Sequence, residues 1–276
     1  MITYLSSTNV YSQQRSQLQA CRLPNLNPSE DVAIGFPRIS NRVRTTGTLN
    51  ITVLFVDFVD APATLTPQQV FSIVSPGAEN FFYVSSYGKL TLRLIPHFRW
   101  LRMSRVSTSY NMSQSITYND QRAYINEAIS LATNVDFSGS DEVVVLTNPS
   151  ARAIRLGQTF TPKRGNGITV RGRTFENAIN SGSDLTNWGS FWLNHGLSKS
   201  MGLPDLYAIN GSGPLLGFTG EWSLMGNINA ANREYFGWER WLLGWLSDSQ
   251  VTCVTRKGVS SSIFHFKFLF HLLYVS

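Results

Sequence analysis

The sequence predicts an α+β fold built on a mixed β-sheet, and three observations carry that prediction. Residues 49–58 (LNITVLFVDF) form a near-continuous run of apolar and β-branched side chains, which is typical of a strand buried on both faces. Residues 142–146 repeat this pattern, and residues 90–101 alternate as a strand does, with Pro96 predicting an edge or a bulge. Apolar residues recur at helical spacing over residues 120–133, which excludes an all-β fold.

Further elements follow from local signals. Thr66 and Pro67 predict a helix start, because threonine caps the first turn and proline fits the first helical position. The other predicted elements are helices over residues 67–74 and 78–86, a hairpin around residues 168–173, a long helix within residues 188–201, and a mostly helical lobe after it.

The bulk composition restricts the partners that we expect. The 276 residues carry a net charge of +6 without a dense Lys/Arg cluster, so no nucleic-acid partner is expected. The apolar run at residues 263–275 is shorter than the ~20 residues of a membrane span, so no span is expected. Residues 1–20 lack the basic start and apolar core of a secretory signal. The oligomeric state stays open.

The cysteines and the glycosylation triplets bear on the compartment. Cys21 and Cys253 could form one disulfide that closes a long loop, or they could be two unrelated thiols. Triplets of the form N-x-S/T occur at Asn50, Asn111 and Asn210, and they support secretion only weakly because such triplets arise often by chance.

Residues 188–207 (WGSFWLNHGLSKSMGLPDLY) resemble the metal-binding helix of zinc proteases. In that helix, two histidines four residues apart bind one ion, and a glutamate after the first histidine is the general base for the zinc-bound water. In metzincins, a glycine three residues past the second histidine turns the chain towards a third ligand, and a methionine turn follows later.

Against this pattern, His195 stands at the first-ligand position and Asp205 at the third, with Gly202 as the turning glycine. Gly196 stands at the general-base position and Lys199 at the second-ligand position. Two interpretations of Lys199 are open. Its ammonium could lie where the ion would sit and pair with Asp205, or the side chain could extend to solvent over a collapsed site.

No other residue in the sequence is directed to the missing positions. Glutamate is absent from residues 177–220, and nothing in the pattern aims Glu221 or Glu239 at the site. His97 follows Pro96 in a predicted strand, where a lone histidine is more often structural than a ligand.

Five fragments in order resemble the immune inhibitor A-like zinc metallopeptidases, a secreted, metzincin-related family. They are FVDFVDAPA (55–63), FFYVSSYGKLTLRLIP (81–96), GLPDLY (202–207), WSLMG (222–226) and FGWERWLLGWL (236–246). The resemblance implies a metzincin-like catalytic domain with Met225 in the methionine turn, zinc as cofactor, polypeptide substrates and an extracellular location. Its extent implies a domain over residues 45–254, in lobes 45–201 and 202–254, between an extended segment (1–44) and an atypical tail (255–276). The chain departs from the family's HExxHxxGxxD motif at Gly196 and Lys199.

These departures predict impaired or absent catalysis, with no catalytic residue intact and zinc bound weakly or not at all. Losing a general base alone commonly costs roughly 10²–10⁴-fold in rate, and losing the metal removes the nucleophile as well. Three hypotheses compete. The chain is a non-catalytic homologue that binds peptides or a partner protein in the old cleft, an active zinc endopeptidase with an unusually rebuilt site, or a truncated or decayed gene product. The first and third outrank the second.

Overall fold

The computed structural model of the chain describes residues 18–25, 35–112, 116–207 and 218–253. The chain divides into two compact units: Leu23–Val251, and a smaller unit formed by Met1–Arg22 with Thr252–Ser276. Within the smaller unit, Cys21 and Cys253 are joined by a disulfide, with their Cα atoms 5.8 Å apart. This pairing decides between the two alternatives that the sequence leaves open.

The larger unit contains one main β-sheet. Its strands in chain order are β1 (Gly47–Asp57), β2 (Leu90–Arg102), β3 (Glu142–Thr147), β4 (Gln158–Phe160), β5 (Ile168–Val170), β6 (Arg173–Phe175) and β7 (Ala178–Asn180). In the described part of the chain, five strands form a sheet in the order β2–β1–β3–β7–β4, and β5 and β6 form the predicted hairpin. Only β4 runs antiparallel to its neighbour in the five-stranded sheet. The predicted α+β class with a mixed sheet is confirmed, and the sheet is mostly parallel.

Strand β1 is buried on both faces, as its unbroken apolar run predicts. Ile51, Val53 and Phe55 belong to one hydrophobic core, and Leu54 and Val56 belong to a second core on the opposite face. The prediction for Pro96 is also confirmed, because β2 ends the described sheet on this side and its pairing with β1 shifts register beside that proline.

Helices cover both faces of the sheet. They are α1 (Pro67–Phe71), α2 (Gly77–Ser85), α3 (Tyr118–Leu131), α4 (Leu185–Trp188), α5 (Ser190–Ser200) and α6 (Gly237–Leu242), with 3-10 turns at Ser107–Tyr110 and Asp248–Gln250. Helix α5 belongs to the same core as one face of β1, and it packs against α2, β4 and β7. It therefore lies beside the end of the sheet that carries β4.

Several sequence-based boundaries were wrong. The first helix ends at Phe71 rather than Val74, because Val74 N–H donates to the carbonyl of Phe71 in a 3-10 turn. The long helix predicted near residues 188–201 is present as α5, but it begins at Ser190 because Gly189, with φ of 57°, separates it from the short helix α4. The described part of residues 202–254 is mostly turns rather than helices, and α6 stops before Gly244, which has φ of 77°.

None of the helices in the described residues is long and apolar enough to cross a membrane. The apolar run at residues 263–275, which the sequence analysis judged too short for a span, lies outside the described residues.

Candidate functional site

Helix α5 presents His195 and Lys199 on one face because they are four residues apart. The opposite face carries Leu193, Leu197 and Met201, which are fully buried in the core. The side chain of His195 is 18% exposed and that of Lys199 is 29% exposed, so both reach the surface of a cleft. Burial of the apolar face therefore fixes the direction of the two polar side chains.

Gly202 turns the chain after α5, as the sequence predicts. Its φ of 99° lies in the left-handed region that favours glycine. The N–H groups of Gly202 and Leu203 donate to the carbonyls of Lys199 and Ser198, both at 2.9 Å, which closes the helix end. The chain then returns past α5, and this reversal brings Asp205 back to the polar face of the helix.

Asp205 joins both polar residues of α5. Its Oδ1 lies 3.1 Å from His195 Nε2, and its Oδ2 accepts a hydrogen bond of 2.8 Å from Lys199 Nζ. The ion pair that the sequence allowed between Lys199 and Asp205 is present. The alternative in which Lys199 only extends to solvent is wrong.

The carboxylate of Asp205 is held in its charged form. Burial opposes ionisation, but the hydrogen bond to His195 and the charge of Lys199 outweigh it and lower the pKa of Asp205 to about 2. Burial also raises the pKa of the Tyr207 hydroxyl, and the charge and hydrogen bonding of Asp205 raise it further. In the sequence, the one signal for Tyr207 is its position two residues after Asp205.

The segment predicted as a methionine turn lies against the other side of His195. The carbonyl of Leu224 is 3.1 Å from His195 Nδ1, and the carbonyl of Met225 accepts from Leu206 N–H at 2.9 Å. Met225 is fully buried in the core that contains α5. The turn thus contacts the residues on both sides of Gly202.

Two buried residues, Ser223 and Glu239, hold this turn through a contact that the sequence does not predict. Ser223 Oγ donates to Glu239 at 3.1 Å and accepts from Met225 N–H at 3.1 Å. Burial raises the pKa of Glu239 to about 7. Glu239 therefore supports the turn from α6, and it does not enter the set of groups around Asp205.

The polar face of α5 forms part of a cleft of about 630 Å³. One wall includes Gln158 and Thr159 of β4, which is the last strand of the described sheet. The opposite wall is residues 226–229, and Trp188 and Trp192 add aromatic surface. A strand at the end of the sheet, a polar helix face and aromatic walls are features of a site that accepts an extended ligand.

The space beside Gly196 is filled by the sheet. A Cβ atom built on Gly196 would lie 3.1 Å from Ile179 Cδ1 and 3.2 Å from Thr159 Oγ1. The Thr159 hydroxyl also donates to the Gly196 carbonyl at 3.3 Å. At the predicted general-base position, the helix is therefore packed closely against β4 and β7.

The residues around Asp205 do not fit a zinc ion. Protein zinc sites take three or four ligands, and a histidine ligand must present a free nitrogen lone pair. Among the described residues here, only His195 and Asp205 are available, each already faces the other, and an ammonium group lies 2.8 Å from the carboxylate. In the described ranges, no group of three or more His, Cys, Asp or Glu side chains could hold a metal ion.

The other residues considered as replacements lie elsewhere. His97 is on β2 and lines a separate cavity of about 260 Å³. Glu221 is exposed, and its Oε2 accepts from Ala231 N–H at 3.4 Å. Neither lines the cleft beside α5.

No model of a known protein family matches the chain, and a search of curated proteins finds no match either. The resemblance to the immune inhibitor A-like family stays a prediction from the five sequence fragments.

Proposed function

We propose that the chain is a metallopeptidase-like protein of the secreted immune-inhibitor-A type that binds extended polypeptide segments in its cleft without hydrolysing them. The observation that carries this proposal is the ion pair between Lys199 Nζ and Asp205 Oδ2, at 2.8 Å. Lys199 stands at the predicted second-ligand position, and its ammonium group pairs with the carboxylate of Asp205 at the predicted third-ligand position. The metzincin-like fold is part of the same proposal, and the contacts of the methionine turn with His195 and the segment after Gly202 support it.

Among the described residues of the cleft, no group is placed to activate water. His195 lines the cleft, but its Nδ1 faces the carbonyl of Leu224 and its Nε2 faces Asp205, so both ring nitrogens are engaged. Gly196 carries no side chain, and Asp205, whose pKa is about 2, is too weak a base to take a proton from water. Asp184 also lines the cleft, but its Oδ1 accepts N–H groups from Gly157 and Gly182, and its Oδ2 accepts from Gly157. Both oxygens of the Asp184 carboxylate are therefore occupied by hydrogen bonds from the backbone.

The same cleft offers groups that can hold a peptide. A peptide in extended conformation can pair with the edge of a sheet, and β4 is the strand that lines this cleft. An ammonium has three donors, and Lys199 directs one of them at Asp205. A peptide carbonyl oxygen can accept another, while aromatic and apolar walls receive its side chains.

The extracellular location belongs to this proposal as well. The disulfide between Cys21 and Cys253 supports it, because such bonds form and persist mainly in oxidising compartments.

The test compares binding and cleavage of one probe, fluorescein-labelled unfolded casein, by the purified full chain. Binding is followed by fluorescence anisotropy and cleavage by gel electrophoresis, with and without added zinc. We expect binding without cleavage in both conditions. Lys199→Met should weaken binding about tenfold, the equivalent of ~1.5 kcal/mol for one hydrogen bond to a charged group. Lys163→Met, at an exposed lysine outside the cleft lining, is the matched control and should bind normally.

Two results would overturn the proposal. Cleavage by the wild-type chain that a chelator abolishes would establish the active-endopeptidase alternative. A folded chain that neither binds nor cleaves casein would favour the decayed gene product. Circular dichroism of each variant separates loss of binding from loss of folding.

A further inference from the structure

The structure describes the asparagine of two of the three N-x-S/T triplets. These two asparagines differ in how exposed their surroundings are. Asn50 lies within β1, whereas Asn111 follows the 3-10 turn Ser107–Tyr110. The third asparagine, Asn210, lies outside the described residues. The two described positions can therefore be compared directly as candidates for an N-linked glycan.

The sheet restricts access to the triplet at Asn50. Its N–H donates to Asp141 Oδ2 at 2.9 Å, its carbonyl accepts from Asp141 N–H at 2.7 Å, and its Oδ1 is buried. Thr52, the third residue of this triplet, is 1% exposed, and its hydroxyl is hydrogen bonded to Ser140. In the folded sheet this triplet therefore has a buried hydroxyl and an asparagine that is only partly exposed.

Asn111 stands at the surface between two buried neighbours. Its backbone is left-handed, with φ of 54° and ψ of 27°, and it ends the 3-10 turn. Tyr110 and Met112 are each 2% exposed, whereas Asn111 is exposed. Tyr110 and Met112 therefore hold the backbone next to Asn111 while its side chain is exposed, and Asn111 does not line the cleft beside α5. Ser113, the third residue of the triplet, lies outside the described residues.

We infer that Asn111 is a site of N-linked glycosylation. The amide nitrogen of Asn111 displaces the diphosphate from the anomeric carbon of a lipid-diphosphate-linked oligosaccharide. The new C–N bond forms as the sugar–phosphate bond breaks, the lipid diphosphate leaves, and the amide nitrogen loses one proton. Acceptor triplets of this type are used on surface loops of secreted proteins. The inference rests on the proposed function only for the secretory compartment, which the disulfide between Cys21 and Cys253 also supports.

The experiment directs the full chain into the secretory pathway of a eukaryotic cell with a heterologous signal peptide. Tryptic peptides from both the secreted and the cell-retained protein are mapped by mass spectrometry before and after peptide-N-glycosidase treatment. We expect the peptide with Asn111 to carry the glycan and to contain aspartate at that position after enzymatic release. Asn111→Gln and Ser113→Ala should each remove this glycan, while Asn50→Gln should leave it in place.

An unmodified Asn111 in both fractions would overturn the inference, as would a glycan at Asn50 in folded, secreted protein. Because the retained fraction is mapped as well, a variant that fails to leave the cell still gives an answer. A glycosylated Asn111 in a chain that cleaves casein would leave the inference standing and overturn the proposed function.

Discussion

The core face and the cleft face of α5 are held together by different kinds of interaction. The core face is apolar: Leu193, Leu197 and Met201 are fully buried. The cleft face is a set of polar contacts in which His195 and Lys199 both meet Asp205. The comparison teaches that apolar packing fixes the position of α5, while the polar side chains on its other face are paired with Asp205.

The largest expected effect tests the core face. Leu197→Ala should lower the free energy of unfolding by about 3 kcal/mol, because it removes apolar contacts and leaves a cavity in a fully buried site. The matched control is Leu65→Ala at a side chain that is 38% exposed, and it should cost less than ~1 kcal/mol. Denaturant unfolding measures both variants. Equal losses would mean that α5 is not anchored by this face.

The next prediction concerns Glu142, which contacts the end of α5. Ser200 Oγ donates to Glu142 Oε1 at 2.5 Å, and burial raises the pKa of Glu142 from 4.5 to about 8. The folded chain therefore binds more protons than the unfolded chain between these two values, so its stability should fall as pH rises through that window. Glu142→Gln should remove this fall and be more stable than wild type at pH 8 by about 2 kcal/mol or more.

Unfolding at pH 5 and pH 8 provides the measurement for Glu142. Glu221→Gln, at an exposed carboxylate, is the control and should keep the wild-type difference between the two pH values. The account of Glu142 fails if its glutamine variant loses stability with pH as steeply as wild type does.

A polar residue interrupts the buried side of α5. Asn194 is fully buried, and neither its Oδ1 nor its Nδ2 has a hydrogen-bond partner within the described residues. Replacing it with an apolar residue of similar size should remove a desolvation cost, so Asn194→Leu is expected to stabilise the chain by ~1 kcal/mol. Thermal unfolding measures the change. A lower melting temperature than wild type would show that the amide is satisfied in solution.

The smallest effect tests the packing beside Gly196. The methyl group added by Gly196→Ala would lie 3.1 Å from Ile179 Cδ1, and Ile179→Val removes this Cδ1 atom. Gly196→Ala should therefore be more favourable in the valine background than in wild type, by about 0.5–1 kcal/mol. A double-mutant cycle of unfolding free energies gives this coupling, and additive single effects would show that the sheet does not restrict this position.

The sequence predicts the parts of the molecule that depend on local patterns. The apolar run predicts β1, and the left-handed requirement at Gly202 predicts the turn that returns Asp205 to α5. The short strands β4 and β7 were missed because each has three residues, too few for a periodicity, and they exist only through their pairing with each other and with β3.

The contacts of Gly196 were beyond sequence analysis for the same reason. A glycine in place of a glutamate is visible in the motif, but the approach of Ile179 and Thr159 to it depends on how the sheet packs against α5. The disulfide between Cys21 and Cys253 joins residues 232 positions apart, and no local pattern fixes such a distance.

The most direct test of the central claim is metal analysis of the purified full chain after equilibration with zinc and extensive dialysis. Because Lys199 and His195 are both engaged by Asp205, we expect wild type to retain no stoichiometric zinc. Lys199→His, which would restore a second imidazole on the same helix face, should retain more zinc than wild type. One tightly held zinc per wild-type chain, with chelator-sensitive casein cleavage, would contradict the account.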